Sequence, residues 1–201
     1  MALNIEVKPL KEDKLDQFLA FVEGPAFADN PHWRSCYCVF HYLRDASHGE
    51  WHGRSAADNK GELCSRVREG RGRWLVAYHE ERVVGWVNAD ERRALERYDE
   101  WEAPQRDKCG VVACFVVDPQ FRRQGVATQL LIAAVEDLRQ RGTSTVETYI
   151  VSDPEAAARS SEEGLGADQM AHHGPLAMYE AAGFRVTEHQ GPIAHLQLTL
   201  S

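Results

Sequence analysis

The sequence predicts an α+β domain with a single mixed, largely antiparallel sheet flanked by helices. Three observations predict this class: amphipathic helical spacing near the start, two strand-like runs that form a hairpin, and a strand–helix–strand unit after it. A chain of 201 residues has the size of one domain, so we expect a single domain over residues 1–201.

The first third of the chain is predicted to hold one weak strand and two helices. Residues 4–7 alternate weakly, which indicates a first strand. Residues 11–22 have a helical period, and the residues on the apolar face are Leu15, Phe18, Leu19 and Val22. A second helix is predicted over residues 56–69 and ends at Gly70. Residues 27–52, rich in aromatic side chains and histidine, are assigned to no element.

A hairpin and a central strand are predicted next. Residues 73–78 and 82–88 are strand-like runs joined by a short charged turn. Residues 110–117 are nearly all apolar, which favours a central strand covered on both faces.

The remaining elements alternate between helix and strand. Residues 125–141 form an amphipathic helix that Gly142 ends, and residues 145–151 form a strand. After a long polar connection, a short helix reaches Ala182, and two strands follow near residues 184–187 and 193–198.

Composition narrows the class of function. The net charge of −8 argues against a general binder of nucleic-acid phosphates; it suits a cationic acceptor or solubility alone. No apolar run approaches the ~20 residues of a membrane span, and the first residues lack the pattern of a secretion signal. The five cysteines are expected to be reduced thiols. We therefore expect a cytoplasmic protein with no nucleic-acid or membrane partner; a homodimer stays open.

The turn after the central strand carries the strongest chemical signal. Residues 122–127 read Arg-Arg-Gln-Gly-Val-Ala and open the amphipathic helix. The first helical turn leaves about four N–H groups unpaired, with roughly half a positive charge. Gly125 and Ala127 leave room for a phosphate, and Arg122 and Arg123 add charge. By physics alone this is a generic anion site, or a tight turn with solvated arginines; it has neither Rossmann glycines nor a Walker Gly-Lys-Ser/Thr.

Two motifs resemble the GNAT acyltransferase family. The family's Arg/Gln-x-x-Gly-x-Gly/Ala motif is matched by Arg122, Gly125 and Ala127. Its later Tyr-x-x-x-Gly-Phe motif stands at residues 179–184, in the family's order. The resemblance implies the GNAT acyltransferase fold and an N-acetyltransferase, with acetyl-CoA as co-substrate and an amine as acceptor.

The resemblance also implies a cofactor site within residues 73–151. A gap is expected between the fourth and fifth strands, where main-chain atoms of one strand pair with the pantetheine arm. The strand residues implied are Phe115, Val116 and Val117. Arg122 and the backbone amides of the following turn are expected at the pyrophosphate. The turn residues are Arg123, Gln124, Gly125, Val126, Ala127 and Thr128.

Catalysis by such an enzyme needs an acid and a base. The resemblance makes Tyr179 the acid that protonates the departing thiolate, unless it only packs the last helix. The base is left open among four residues, of which Glu147 and His173 are preferred. The other two are Asp107 and His172. Glu147 is expected on the strand beside the gap, although such a glutamate is often just solvated.

Residues 1–72 are expected to form the acceptor side. Aromatic side chains there predict a wall around the acceptor, with Trp33, Tyr37 and Phe40 as its members, joined by Tyr42 and Trp51. Cys36 and Cys38 have poor spacing for zinc, so no metal is predicted.

Two further segments bear on function. Cys114 is conceivable as a nucleophile, but its apolar neighbours should raise its pKa and favour a packing role. Residues 152–174 are either an acidic lid over a cationic acceptor or a solvated loop, and residues 175–201 complete the domain.

The function predicted is acetyl transfer by direct attack of a primary amine, on a small molecule. A protein lysine or N-terminus as acceptor is the first alternative. A module that senses acyl-CoA without turnover is the second.

Overall fold

A computed structural model describes residues 3–43, 51, 53–98, 108–159 and 173–200. Seven strands form one sheet in the order β1-β2-β3-β4-β5-β7-β6 within these ranges. The strands are β1 (Glu6–Pro9), β2 (Trp74–His79), β3 (Arg82–Glu91), β4 (Cys109–Val117), β5 (Thr145–Val151), β6 (Arg185–Gln190) and β7 (Ile193–Thr199). β4 and β5 pair in parallel, and the other neighbours in this order are antiparallel. The mixed, largely antiparallel sheet predicted from the sequence is confirmed.

Helices cover both faces of the sheet. They are α1 (Leu15–Glu23), α2 (Ala56–Arg68), α3 (Val126–Gln140), α4 (Pro154–Arg159) and α5 (Leu176–Ala181). One core lies between the sheet and α1, and we call this side the α1 face. The other core packs α3 and α5 on the opposite side, the α3 face. The helices predicted over residues 11–22, 56–69 and 125–141 are confirmed, with ends moved by a few residues.

Trp86 is the centre of the α1-face core. Its ring is fully buried on β3 and meets the edges of Phe18, Phe21 and Phe27 at 5.2, 5.8 and 5.7 Å. Edge-to-face contacts of this kind add to the free energy gained from burying the rings. They anchor α1 on the strand next to β4.

The parallel pair β4–β5 separates along its length. Its register joins only Cys109–Val111 to residues 145–147. Further on, β4 stays paired with β3, and β5 with β7. Ala113 is an extra residue in β4, since Asn88 lies opposite Cys114 while Ala89 lies opposite Val112. Such a bulge bends a strand, and a wedge-shaped gap opens between β4 and β5, as the resemblance implied.

Strand ends moved where tertiary partners cover polar residues. β3 was predicted to end at Asn88 but continues to Glu91. Asp90 is 2% exposed, because the Tyr42 hydroxyl (3.3 Å) and the Arg141 guanidinium (2.7 Å) bind its carboxylate. β1 begins at Glu6, opposite Tyr78 of β2.

A 3₁₀ turn at Pro25–Phe27 leads into the unassigned aromatic segment, whose described part forms two more at Pro31–Cys36 and Phe40–Tyr42; its residues 44–50 and 52 lie outside the described residues. The connection over residues 152–174, expected to be either a lid or a solvated loop, begins with α4. Its residues 160–172, which include His172, lie outside the described residues, as does Asp107. Within the described ranges, no helix has the length and apolarity needed to span a bilayer.

Candidate active site

The turn before α3 forms through two residues with left-handed backbone. Arg123 has φ +62° and Gly125 has φ +85°. Gly125 is the N-cap of α3, and as a glycine it offers the helix no capping side chain. The N–H groups of the first turn are therefore left for another acceptor. A Cβ added at Gly125 would meet nothing within 4 Å, so the space in front of these donors is open to a phosphate.

Arg122 braces this turn. Its guanidinium pairs with Asp29, and its Nε donates to the Val117 carbonyl at 3.1 Å. The hydrogen bond from Arg122 lowers the pKa of the Asp29 carboxyl. The Arg122 side chain thus connects the turn, the end of β4 and the segment after α1. The negative charge of Asp29 offsets part of the positive charge of Arg122.

The gap between β4 and β5 leads away from this turn. Phe115, Val116 and Val117 lie in the part of β4 beyond its pairing with β5. At the narrow end, the Thr148 hydroxyl donates to the Val112 carbonyl at 2.9 Å. A side chain therefore closes the gap where the strands begin to separate.

Tyr179 of α5 lies at this narrow end. Its ring is fully buried against Phe115 (6.4 Å) and Phe184 (5.3 Å). The hydroxyl donates to the His173 carbonyl at 2.8 Å and lies 3.5 Å from the Thr148 hydroxyl. Burial raises the pKa of Tyr179, so the phenol keeps its proton throughout the physiological range.

Glu147 lies beside the gap. The alternative expectation, that it is only a solvated strand residue, is wrong. It is 1% exposed and forms an ion pair with Arg92, itself 1% exposed, from the turn after β3. Its Oε2 lies 3.2 Å from Nε2 of His195 on β7. Three ionisable side chains from three elements therefore meet on the α1 face.

A row of four stacked rings crosses the same face. The ring centroids of His41 and Tyr98 are 5.7 Å apart, those of Tyr98 and Tyr149 5.6 Å, and those of Tyr149 and His195 4.4 Å. Burial, with Cys114 of β4 and Tyr149 of β5 close by, raises the pKa of Tyr98. Tyr98 thus lies near both walls of the gap.

The residues predicted to form an aromatic wall do not lie together: some lie next to this row and others in the core. Phe40 packs on Trp51 at 4.9 Å, next to the row. Trp33 is partly buried against the α1-face core. Tyr37 is buried and donates its hydroxyl to Glu23 at 2.9 Å. Tyr42, which we expected in the wall, is a core residue instead, because its hydroxyl is held by Asn88 and Asp90.

Three cysteines, Cys36, Cys38 and Cys114, lie close together. Trp86 donates its indole N–H to Cys38 Sγ at 3.2 Å. A hydrogen bond to Cys38, followed by burial, raises the pKa of Cys114, and burial raises the pKa of Cys36 to about 12. The pKa of Cys114 is raised as predicted, but the hydrogen bond to Cys38 contributes more than the burial that the apolar neighbours predicted. In the part of the chain that the structure describes, no three acidic, histidine or cysteine side chains are grouped to hold a metal.

Sequence reasoning missed four residues of this site: Arg92, Tyr98, Tyr149 and His195. In the sequence, Arg92 is one of many charged residues in the connection before the central strand, so nothing distinguished it. His195 lies on the face of the last strand opposite the alternating apolar residues Ala194, Leu196 and Leu198, and no sequence signal distinguished it from Gln197.

Comparisons with known proteins agree with this architecture. Residues 36–166 match the model of the acetyltransferase (GNAT) family. No curated protein matches the chain. Similar solved structures include the PaiA N-acetyltransferase of Thermoplasma acidophilum in complex with coenzyme A (TM-score 0.54, 14% identity, 98% of this chain and 100% of that one).

Two other solved structures are comparably similar. The ribosomal-protein-alanine N-acetyltransferase of Brucella melitensis has a TM-score of 0.53 and 16% identity, with 97% and 99% of the two chains covered. The yncA protein of Salmonella typhimurium, solved with its cofactor acetyl-CoA, has a TM-score of 0.51 and 13% identity, with 98% and 94% covered. At these identities the structures establish the fold, which matches the one predicted.

Proposed function

Because the chain belongs to the acetyltransferase (GNAT) family, we propose that it transfers the acetyl group of acetyl-CoA directly to the primary amine of a small molecule. The observation that carries the proposal is the gap between β4 and β5, which runs from the turn before α3 to Tyr179. One end of this gap has backbone N–H groups that suit a phosphate, and the other end has the phenol of Tyr179.

The residues fit acetyl-CoA in two places. The open space before Gly125 suits the pyrophosphate, bound by backbone amides of residues 123–128. The main chain of residues 115–117 lies in the part of β4 that does not pair with β5, and its edge toward the gap suits the pantetheine arm, whose amides need hydrogen-bond partners.

Acetyl transfer requires two protons to leave the acceptor nitrogen. An ammonium loses one proton before it attacks the thioester carbon, the C–N bond forms and the C–S bond breaks. The nitrogen then loses a second proton. One of the two ends on the coenzyme A thiol and the other in solvent, so the products are the amide, the free thiol and one proton.

Tyr179 is our candidate for the group that meets the departing sulfur. A free thiol has a pKa of about 8.5 and a phenol about 10, and burial raises the pKa of Tyr179 further. Full proton transfer to the thiolate is therefore uphill, and we assign Tyr179 the donation of a hydrogen bond to the developing charge. The hydroxyl must first turn from the His173 carbonyl.

Glu147 and His173 remain our candidates on the proton-accepting side. Glu147 is buried against Arg92 and contacts His195, so a proton it handles has a neighbour to pass to. The main chain of His173 reaches Tyr179, which places this residue at the narrow end of the gap.

A small amine is favoured by the rings on the α1 face. The rings of Tyr98 and Tyr149 stack at 5.6 Å, and an aromatic wall of this kind suits a compact acceptor better than an extended peptide. A protein lysine or N-terminus remains the alternative acceptor, and a non-catalytic acyl-CoA sensor is the alternative without turnover.

Release of free thiol from acetyl-CoA distinguishes the three functions. We expect turnover with at least one member of a panel of small primary amines and little with peptides. Turnover with peptides alone would replace the small molecule by a protein acceptor. Tight binding of acetyl-CoA without any amine-dependent thiol release would favour the sensor.

A further inference from the structure

Arg122 has two partners at the wide end of the gap. Its Nε donates to the Val117 carbonyl at 3.1 Å, and its two Nη atoms pair with the two carboxylate oxygens of Asp29. A two-point contact of this kind fixes the guanidinium and the carboxylate in one relative orientation. The N–H groups through which a guanidinium grips an anion at two points are therefore engaged within the protein.

The Val117 carbonyl, which Arg122 covers, faces the gap. The Asp118 amide of the same peptide unit donates to the Val84 carbonyl of β3 at 2.9 Å. In a trans peptide the C=O and N–H groups point in opposite directions, so the Val117 carbonyl points away from β3. That side of β4 opens into the gap, because β4 and β5 pair only over Cys109–Val111. The Arg122–Asp29 pair therefore lies at the edge of the gap.

Asp29 belongs to the segment that follows α1 on the acceptor side. Two residues earlier, the ring of Phe27 lies 5.7 Å from that of Trp86 in the α1-face core. Four residues later comes Trp33, one of the residues predicted to contact the acceptor. The pair with Arg122 therefore links the acceptor-side segment to the edge of the gap.

The turn before α3 has a second anchor that does not involve Asp29. The Asp118 carboxylate, which is 1% exposed, binds Arg82 of β3 at 2.6 Å and accepts a hydrogen bond from the Gln120 amide at 2.9 Å. The turn should therefore keep its shape and its backbone donors when the contact with Asp29 is lost.

Asp29 also places a negative charge near the expected pyrophosphate. Its partner Arg122 stands three residues before Gly125, the N-cap of α3, and three residues span at most about 10 Å. The Debye length at physiological salt is about 8 Å, so charges at such distances still interact. Since coenzyme A and its acetyl thioester are polyanions, the Asp29 carboxylate should weaken their binding and favour release of the product.

We propose that Asp29 is a positioning residue of the acetyl transfer. Through Arg122 it holds the acceptor-side segment against the edge of the gap, and its charge limits the affinity for coenzyme A. The inference rests on the proposed function, because it concerns the fit of the amine and the release of the product in that reaction.

The test is Asp29→Asn in the full chain, because the amide keeps the shape of the carboxylate but loses the charge and the two-point contact. At saturating acetyl-CoA we expect kcat/KM for the amine to fall about two- to fivefold, mainly through a higher KM, the range of one exposed ion pair. The Kd of acetyl-CoA and of coenzyme A should decrease by a similar factor, with little change in melting temperature. A variant that was only less stable would not bind the cofactor more tightly while using the amine less well.

Three further variants serve as controls. Asp29→Glu keeps the charge, so its Kd for coenzyme A should stay that of the wild type, and its longer side chain should restore part of kcat/KM. In Arg122→Met, adding Asp29→Asn should change kcat/KM for the amine no further, because the contact is already gone. Glu69→Gln breaks an ion pair of similar exposure with Arg71, at the end of α2, and should behave like the wild type.

The outcomes separate this inference from the proposed function. A wild type that binds acetyl-CoA but acetylates no amine removes the function, and the positioning role with it. A wild type that turns over while Asp29→Asn keeps its kcat/KM for the amine overturns the positioning role alone. Unchanged or weaker binding of coenzyme A by Asp29→Asn would overturn the effect of the charge.

Discussion

The turn before α3 and the cluster of ionisable side chains on the α1 face are built in opposite ways. At the turn, a few consecutive residues present backbone N–H groups, and the critical property is the left-handed φ of Gly125. On the α1 face, the ionisable groups are side chains of Arg92, Glu147 and His195, which three separate elements bring together. The turn should therefore be sensitive to backbone conformation, and the α1 face to the charge and shape of single side chains.

The largest effect is expected where a charge would be left buried. Arg92→Met removes the partner of Glu147, and both side chains are 1% exposed. Breaking a buried ion pair from one side typically costs about 3–5 kcal/mol, so the variant should unfold at much lower denaturant concentration. Chemical denaturation measures this loss.

A double variant sharpens the comparison. Arg92→Met with Glu147→Leu removes both charges and should regain most of the lost stability, because replacing a buried pair by apolar side chains is often neutral. Its acetyl transfer should stay low. Full activity in the stable double variant would mean that the pair only holds the fold.

The turn should respond to a change of backbone. We expect saturating acetyl-CoA to stabilise the wild type by roughly 2.7 kcal/mol at 100 times its Kd. Gly125→Val should lose most of this gain, because valine resists φ +85° and fills the open space before the amides. Thermal melts with and without acetyl-CoA measure the difference.

Gly142 provides a matched control. It follows the end of the same helix with φ +88°, and a Cβ added there would also meet nothing within 4 Å. Gly142→Val should therefore carry a similar strain but keep the stabilisation by acetyl-CoA. An equal loss in both variants would place the pyrophosphate elsewhere.

A smaller effect is expected for the phenol at the narrow end of the gap. Tyr179→Phe removes the hydroxyl bound to the His173 carbonyl. Turnover should drop at least about tenfold, because a donor to the developing charge is lost, with acetyl-CoA affinity unchanged and a stability loss of about 1 kcal/mol. Tyr78→Phe on β2 is the control. Wild-type turnover in Tyr179→Phe, with chemistry shown to limit the rate, would rule out the proposed hydrogen bond.

No effect is expected from metal removal. Cys36 and Cys38 are predicted to hold no zinc, and Cys38 is already the acceptor of the Trp86 indole N–H. Elemental analysis of protein purified without chelator should find far less than one zinc per chain, and a chelator should not change the melting temperature. One equivalent of zinc would overturn this interpretation of the acceptor side.

Periodicity and turn residues were enough to predict the elements around the gap. Residues 145–151 were predicted as a strand and form β5 with the same bounds, because their side chains face two cores. The segment containing Tyr37 and Cys38 was unpredictable, since both residues adopt positive φ with no glycine to signal it. Contacts with Glu23 and Trp86, distant in the sequence, hold that backbone in place.

The sequence by itself determined the fold class, the family and the turn that suits a pyrophosphate. Each depends on neighbouring residues, because helix caps, apolar periods and backbone donors act over a few positions. The tertiary structure alone decided that Glu147 is buried, that Arg92 neutralises it and that His195 lies against it. Those contacts join positions far apart in the chain, and only the packing of strands and turns brings their charges within a few ångströms.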